Sequence, residues 1–197
     1  MGPDERVELL LEAKRKYDAA GNGSAYDEVV DEVAERVAGS GSIGKLDIGA
    51  LVAWKRLRAD TAWVKALMFL PEVAVRAQTS RAVNAAQDGT RTVPEAASDA
   101  RSALTALPGM GVGDAIASTL CFVAAPNRMA VYDGRAHHGL ALAGLELDNR
   151  RGRYRRYMEL IEQCRGELAD RKHSWTAREV DLALFQLGER ARRTSTA

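Results

Sequence analysis

The sequence predicts an all-α protein. Apolar residues recur at three- and four-residue spacing along almost the whole chain, which is the pattern of amphipathic helices. Aromatic residues make up only 6% and alanine is abundant, which suits closely packed helices. The only extended candidate is the short apolar segment 129–132. With 197 residues, 46% of them apolar, the chain is long enough to form one domain with a sizeable core, so we treat 1–197 as a single domain.

Local start and stop signals divide the chain into helices. Asp4 is expected to cap the first helix and Asp47 the third, and Thr92 and Thr176 each begin a capping box. The segments expected to be helical are 6–20, 25–38, 47–57, 61–68, a helix opening at Pro71, 92–106, 134–143, 154–168 and one following Thr176. The tail 192–197 is expected to be frayed.

A tight turn interrupts this helical pattern at Leu107-Pro108-Gly109-Met110-Gly111. Pro108 cannot continue the preceding helix, and Gly109 and Gly111 allow positive φ. A helix beginning near Val112 would direct its free N–H groups and the positive end of its dipole out of the turn. Such a turn is suited to bind an anion, and a DNA phosphate is the large anion most often bound in this way.

The turn is followed at a fixed distance by Ala-Val-Tyr-Asp-Gly-Arg, in which the acid is Asp133. Together these motifs resemble the helix-hairpin-helix DNA glycosylases of base-excision repair, and the resemblance is sharp over residues 106–138 and only general elsewhere. It implies a two-lobed helical fold with a groove between the lobes, a helix-hairpin-helix at about 97–125 and a catalytic segment at 126–138. It also implies that the hairpin grips a DNA phosphate through residues Leu107, Pro108, Gly109, Met110, Gly111 and Gly113.

By the same resemblance, Asp133 lies beside the glycosidic bond. A base stacked in a duplex must be flipped out before it can be cleaved, and the sugar gains positive charge as the bond breaks. A fixed carboxylate stabilises that charge and can orient or deprotonate water. Asp133 also precedes a helix, so a capping role is the alternative, and the two roles are compatible.

One departure from the family concerns the reaction type. Bifunctional members carry a lysine two residues after the second hairpin glycine, where this chain has Gly113. We therefore expect a monofunctional enzyme that uses water. The alternatives are a non-catalytic module that binds DNA structure, and a glycosylase/lyase that uses a lysine elsewhere, such as Lys55 or Lys65.

Several further residues are candidates to contact DNA or the flipped base. His137 and His138 follow Asp133 by one helical turn, and Arg151 and Arg153 belong to the densest cationic segment, 149–157. Ordinary alternatives are exposed helix positions for the histidines, ion pairs with neighbouring acids for the arginines, and core packing for Trp54 and Trp63. The full candidate set is Trp54, Tyr132, Arg135, His137, His138, Arg151 and Arg153.

The expected partner is duplex DNA bearing a modified base, bound by a monomer. The net charge is only +1, so cations must be concentrated on one face. The resemblance allows a sodium or potassium ion on the carbonyls of Thr105, Leu107 and Met110. The four-cysteine iron–sulfur cluster of some relatives cannot be built from Cys121 and Cys164 alone. No apolar run approaches a membrane span and the N-terminus does not look like a signal peptide, so we expect a cytoplasmic protein, at the nucleoid if the source is bacterial.

Overall fold

The computed structural model describes residues 1–21 and 24–194, and this part of the chain is all-helical, as predicted. It contains ten α-helices and one short 3-10 turn, and no strand. The helices are α1 (Pro3–Ala19), α2 (Ser24–Ser40), α3 (Lys45–Trp54), α4 (Ala62–Phe69), α5 (Glu72–Gln87), α6 (Val93–Ala103), α7 (Ala115–Ala124), α8 (Gly134–Leu142), α9 (Arg153–Asp170) and α10 (Ala177–Thr194), and the 3-10 turn is Leu104–Ala106.

Capping boxes fix several helix starts. Thr92 and Thr176 pair with the glutamates three residues later, as predicted. The predicted caps Asp4 and Asp47 are wrong. Gly44 is the N-cap of α3, and the Asp47 carboxylate accepts its N–H at 2.9 Å from the third helical position. An acid at that position reaches back to the residue before the helix, so α3 begins two residues earlier than expected; Gly2 similarly caps α1.

The helices pack in two groups. The first helix and the last three, α1, α8, α9 and α10, contact one another, while α2, α3, α5, α6 and α7 form the second group. Contacts between α6 and α9 join the two groups. The terminal helices of the chain are therefore brought together on one side of the molecule, and the segments linking α3 to α4 and α7 to α8 lie near the boundary.

Glycines bring α8 and α10 into close contact. A Cβ atom added at Gly139 of α8 would lie 2.0 Å from the Leu184 carbonyl oxygen, and one at Gly188 of α10 would lie 2.0 Å from the Arg135 carbonyl oxygen. Only residues without a side chain permit this backbone approach. The contact fixes the start of α8, and hence Asp133, relative to α10.

Two predicted boundaries near the hairpin differ from the structure. The helix after the hairpin begins at Ala115 rather than near Val112, because the turn continues through Gly113, whose φ is 74°. The apolar segment 129–132 is buried but belongs to no strand, since no neighbouring strand is present among the described residues. Helix α10 continues to Thr194, within the tail predicted to fray, and 195–197 lie outside the described residues.

Candidate active site

Asp133 lies in a cavity of about 570 Å³ at the boundary between the two helix groups. Its Oδ2 atom accepts a hydrogen bond from Lys55 Nζ at 2.9 Å. The Lys55 side chain is only 10% exposed and the Asp133 side chain 31%, so the ion pair is partly screened from solvent. We call this space the Asp133 cavity. Its lining comes from α1, α2, the end of α3, the segment 131–135 and α10, with Lys55, Arg56, Asp133, Arg135, Trp54 and Phe185 among the lining residues.

Asp133 is also the N-cap of α8. Its Oδ1 atom accepts the Arg135 N–H at 2.8 Å, which leaves Oδ2 directed to Lys55. The capping role, which the sequence offers as the alternative to a catalytic role, is confirmed, and it is compatible with a position in the cavity. The cap orients the carboxylate because one oxygen is fixed by the helix end.

Electrostatics keep this carboxylate ionised. Burial raises the pKa of Asp133, but the charge of Lys55 and the hydrogen bonds from the Arg135 N–H and Lys55 outweigh burial, so the pKa lies below its ordinary value. An ionised carboxylate cannot donate a proton. At neutral pH Asp133 can stabilise positive charge or orient water, and it is unsuited to be a general acid.

Aromatic side chains with cations on their faces form the walls of the Asp133 cavity. The Arg135 guanidinium lies 4.9 Å from the centre of the Phe185 ring, and its contact with Glu189 is a loose 3.6 Å. Trp54 donates its indole N–H to Asp27 at 3.3 Å and is half-buried. Trp54 thus both packs against the core, as one alternative stated, and lines the cavity.

A buried ion pair beneath these walls was not predicted from the sequence. Arg178 donates to both oxygens of Asp181 at 2.9 and 3.0 Å, and Asp181 also accepts the Val131 N–H at 2.8 Å. Both side chains line the Asp133 cavity, but Asp181 is only 2% exposed. Through the Val131 N–H, this ion pair attaches segment 131–133 to α10. The only local sign of the pair in the sequence is the i,i+3 spacing of Arg178 and Asp181 on a helix.

A second cavity, of about 530 Å³, lies at the hairpin, and we call it the hairpin groove. The two cavities share a dividing wall. Val131 and Asp133 line the Asp133 cavity, whereas Tyr132 between them lines the groove, because successive side chains of an extended segment point in opposite directions. On the facing loop, Lys55 and Arg56 line the first cavity and Leu57 lines the second.

The hairpin backbone is close to the prediction, with one correction. Gly109 has φ 79° and carries the Trp63 ring directly on its Cα, at a position where a Cβ would lie 2.5 Å from ring atoms. Gly111 was expected to permit positive φ, but the second left-handed glycine is Gly113, with φ 74°. The turn is longer than expected, and its second positive-φ residue therefore comes two residues later than Gly111.

The remaining hairpin residues divide between core and surface. Leu107 and Met110 are 4% and 0% exposed, so their side chains anchor the turn in the core. Pro108 is half-buried, and Val112 is 88% exposed at the tip. Contact with a ligand is therefore left mainly to the backbone and to Val112.

Charge at the hairpin is set by a residue that sequence reasoning did not assign. Asp114, the residue before α7, is 9% exposed and pairs with Arg101 at 2.9 Å and with Arg153 at 2.8 Å. Arg101 also donates to the Gly113 carbonyl at 2.8 Å. Of these three residues, Asp114 and Arg153 line the hairpin groove, so one carboxylate and one guanidinium stand before the N-terminus of α7.

Tyr132 and His137 form a pair beside the hairpin groove. The Tyr132 hydroxyl lies 2.8 Å from His137 Nδ1, and Arg153 lies 4.4 Å from the centre of the Tyr132 ring. Burial, together with Arg153 and His138, lowers the pKa of His137, and burial raises the pKa of Tyr132. With its pKa lowered, the imidazole of His137 carries no charge at neutral pH, so His137 is a poor phosphate ligand there.

Other candidate contacts lie outside both cavities. His138 is exposed on α8, and Arg151 is exposed ahead of α9. Most of the cationic segment is used in ion pairs, as its alternative interpretation stated: Arg150 and Arg156 both pair with Asp148, and Arg155 pairs with Glu159. Of the described residues of this segment, Arg153 is the one that lines either of these two cavities. Lys65 is exposed and lines neither one.

The hairpin carbonyls could admit a monovalent cation only by sharing. The Leu107 carbonyl already accepts the Met110 N–H at 3.1 Å, and the Thr105 carbonyl oxygen faces Gly111. A carbonyl oxygen has two lone pairs, so the hydrogen bond at Leu107 leaves one lone pair for an ion, and the ion stays a prediction. Both cysteines are buried, and burial raises the pKa of Cys121 and of Cys164 to about 12, so both are protonated thiols.

Comparison with known proteins does not assign the chain to a family. No family model, no curated protein and no solved structure matches it. None of the helices described for residues 1–21 and 24–194 combines the length and apolar character that crossing a membrane requires.

Proposed function

We propose that the protein is a DNA glycosylase that hydrolyses the N-glycosidic bond of a modified base flipped out of a duplex. The observation that carries the proposal is the shared wall of the two cavities. The ionised Asp133 lies on one side of segment 131–133, and the glycine-containing hairpin lies on the other. A strand whose phosphate sits at the hairpin would have its next sugar close to that carboxylate.

The chemistry proposed for Asp133 follows from its charge and its fixed orientation. The flipped base would enter the Asp133 cavity, where Trp54 and Phe185 supply apolar surface for the base. As the bond to the base breaks, Asp133 would stabilise the positive charge on the sugar and orient water at the anomeric carbon. Lys55 holds the carboxylate ionised in this scheme.

The arrangement of helices is compatible with this proposal. The two packing groups would be the two lobes of a helix-hairpin-helix glycosylase, with α6, the turn and α7 as the hairpin unit. The cavity at their boundary would be the groove that receives DNA. Arg153, which lines the hairpin groove beside the free backbone of the turn, would donate to the phosphate backbone.

The test is excision from a panel of duplexes that each carry one modified base, with strand cleavage measured before and after alkali. We expect wild-type protein to give alkali-dependent cleavage of at least one duplex. Asp133→Asn should lower the rate by about 10²- to 10⁴-fold while DNA binding survives, because asparagine keeps the helix cap but not the charge.

Asp148→Asn is the matched control, since Asp148 also pairs with arginine but lies outside both cavities. It should excise at the wild-type rate. Full excision by Asp133→Asn would refute the proposed chemistry. Specific DNA binding by wild-type protein without excision of any base would instead favour the non-catalytic helix-hairpin-helix module.

A second candidate function is supported by the 2.9 Å contact between Lys55 and Asp133. In a glycosylase/lyase, the Lys55 ammonium would first pass a proton to Asp133, and the neutral amine would bond to the anomeric carbon as the bond to the base breaks. The remaining amine proton would pass to the ring oxygen as the sugar ring opens to an imine. Loss of a proton from C2′ would then expel the 3′ phosphate. A nucleophile from the residue that follows α3 would replace the lysine that the hairpin lacks.

Borohydride trapping distinguishes the two candidates. A lyase should give a covalent protein–DNA adduct and strand cleavage without alkali, and Lys55→Arg should abolish both. Lys65→Arg serves as the control because Lys65 is exposed and outside the cavities. If wild-type protein yields no trapped adduct while alkali reveals excision, the monofunctional assignment is supported.

A further inference from the structure

Arg56 occupies an unfavourable backbone conformation at the edge of the Asp133 cavity. Its φ is 53°, in the left-handed region that side chains rarely adopt. It lies between Lys55, whose amine contacts Asp133, and Leu57, which lines the hairpin groove. Arg56 is therefore on the ridge that separates the two cavities.

The strained conformation belongs to a complete helix-ending motif. The Arg56 N–H donates to the Ala53 carbonyl and the Leu57 N–H donates to the Val52 carbonyl, both at 2.9 Å. This is the Schellman arrangement, in which glycine is the usual residue at the position of Arg56. The same motif ends α8, where the chain does use a glycine, Gly144, with φ 72°.

One other described residue provides an internal comparison. Lys172 has φ 65° and ends α9 with the same motif. The Lys172 N–H donates to the Ala169 carbonyl at 2.8 Å, and the His173 N–H donates to the Leu168 carbonyl at 3.0 Å. Lys172 lines neither cavity. The two positions share backbone geometry and charge sign, and Arg56 is the one that lines the Asp133 cavity.

From this position we infer that Arg56 is a substrate-contacting residue that binds the backbone phosphate of the flipped nucleotide or its neighbour. The inference rests on the proposed function. Arg56 is exposed, its loop supplies both the lysine next to Asp133 and one wall of the hairpin groove, and a guanidinium matches phosphate geometry. The Schellman turn fixes the backbone at Arg56, and from this position Arg56 lines the Asp133 cavity.

The experiment measures binding to a duplex carrying a tetrahydrofuran abasic analogue at several salt concentrations, with thermal unfolding in parallel. For Arg56→Gly we expect Tm at or above the wild-type value, because glycine relieves the left-handed strain. Its affinity should fall several-fold, and the slope of log Kd against log salt should fall by about 0.9, the signature of one lost phosphate contact.

Three comparison variants make the result specific. Lys172→Gly should also keep or raise Tm but leave affinity and slope unchanged, whereas Arg56→Lys should retain most of the salt slope because it retains the charge. If Arg56→Gly proves unstable, Arg56→Asn tolerates the same backbone conformation and should give the same loss of slope. A wild-type salt slope in Arg56→Gly or Arg56→Asn would overturn the inference alone. Failure of the wild-type protein to bind the duplex or excise any base would overturn the proposed function, and the inference with it.

Discussion

At the scale of single residues, Asp133 performs two tasks with its two oxygens. One oxygen closes the N-terminus of α8, and the other accepts the Lys55 ammonium. The first contact is local and was predictable from Asp-Gly-Arg. The second joins residues 78 positions apart and depends on how α3 is placed against the segment before α8.

Lys55 should control the ionisation of Asp133. In Lys55→Met the favourable charge disappears while burial, which raises the pKa, remains, so the pKa of Asp133 should rise. A carbon-13 NMR titration of the side-chain carboxyl measures this directly, whether or not the protein is an enzyme. Lys65→Met should leave the titration unchanged, and an unchanged Asp133 titration in Lys55→Met would contradict the ion pair.

The sign of the linked stability effect follows from the lowered pKa in the folded protein. Asp133 contributes to stability above its unfolded pKa, near the ordinary value of 3.8, and the contribution is lost as pH falls through the lower folded pKa. The pair therefore remains intact throughout the neutral range, and any excision that depends on the ionised carboxylate should not decline between pH 8 and pH 5 through protonation of Asp133.

At the scale of helices, the contact between α8 and α10 is what positions the candidate active site. Gly188 faces the Arg135 carbonyl, two residues after Asp133, so a larger residue there presses on the first turn of α8. A substitution at Gly188 in α10 would therefore displace the first turn of α8 and, with it, the Asp133 carboxylate. Sequence periodicity predicts both helices but gives no indication of which glycine faces which turn.

Gly188→Ala should lower the free energy of unfolding by about 1–3 kcal/mol, because the added methyl group meets backbone atoms that cannot rotate away. Denaturant unfolding measures the change. Gly166→Ala is the matched control: it is an exposed glycine within α9 with no neighbour near the added atom, and it should stabilise the protein by about 0.5–1 kcal/mol. Equal stability of Gly188→Ala and wild-type protein would contradict the close packing of α8 on α10.

The hairpin shows how far a local motif can be interpreted. Leu-Pro-Gly-x-Gly correctly predicts a turn between two helices, and Gly109 has the expected positive φ. The start of α7 was placed too early because the additional reversal at Gly113 is not distinguishable from a helix start in sequence. Trp63 on Gly109 and the two arginines on Asp114 come from distant segments, so no local pattern contains them.

At the scale of the whole molecule, the Asp133 cavity and the hairpin groove lie on opposite sides of the same two chain segments. The wall is built from two short segments, 131–133 and 55–57, which lie between helices rather than within them. Irregular segments of this kind can direct adjacent side chains to opposite sides, which a helix face cannot do. This geometry supports the proposal that a single DNA strand places its flipped base in the Asp133 cavity and its phosphate in the hairpin groove.

The sequence by itself determined the helical class, most helix positions and the turn at 107–111, and it singled out Asp133 as the candidate carboxylate. It could do so because caps, periodicity and turn residues act over a few positions. Only the tertiary structure decided that Lys55 meets Asp133, that Asp114 is held between Arg101 and Arg153, and that Arg56 stands on the ridge between the cavities. These contacts join residues far apart in the chain, and their energy depends on how the helices pack.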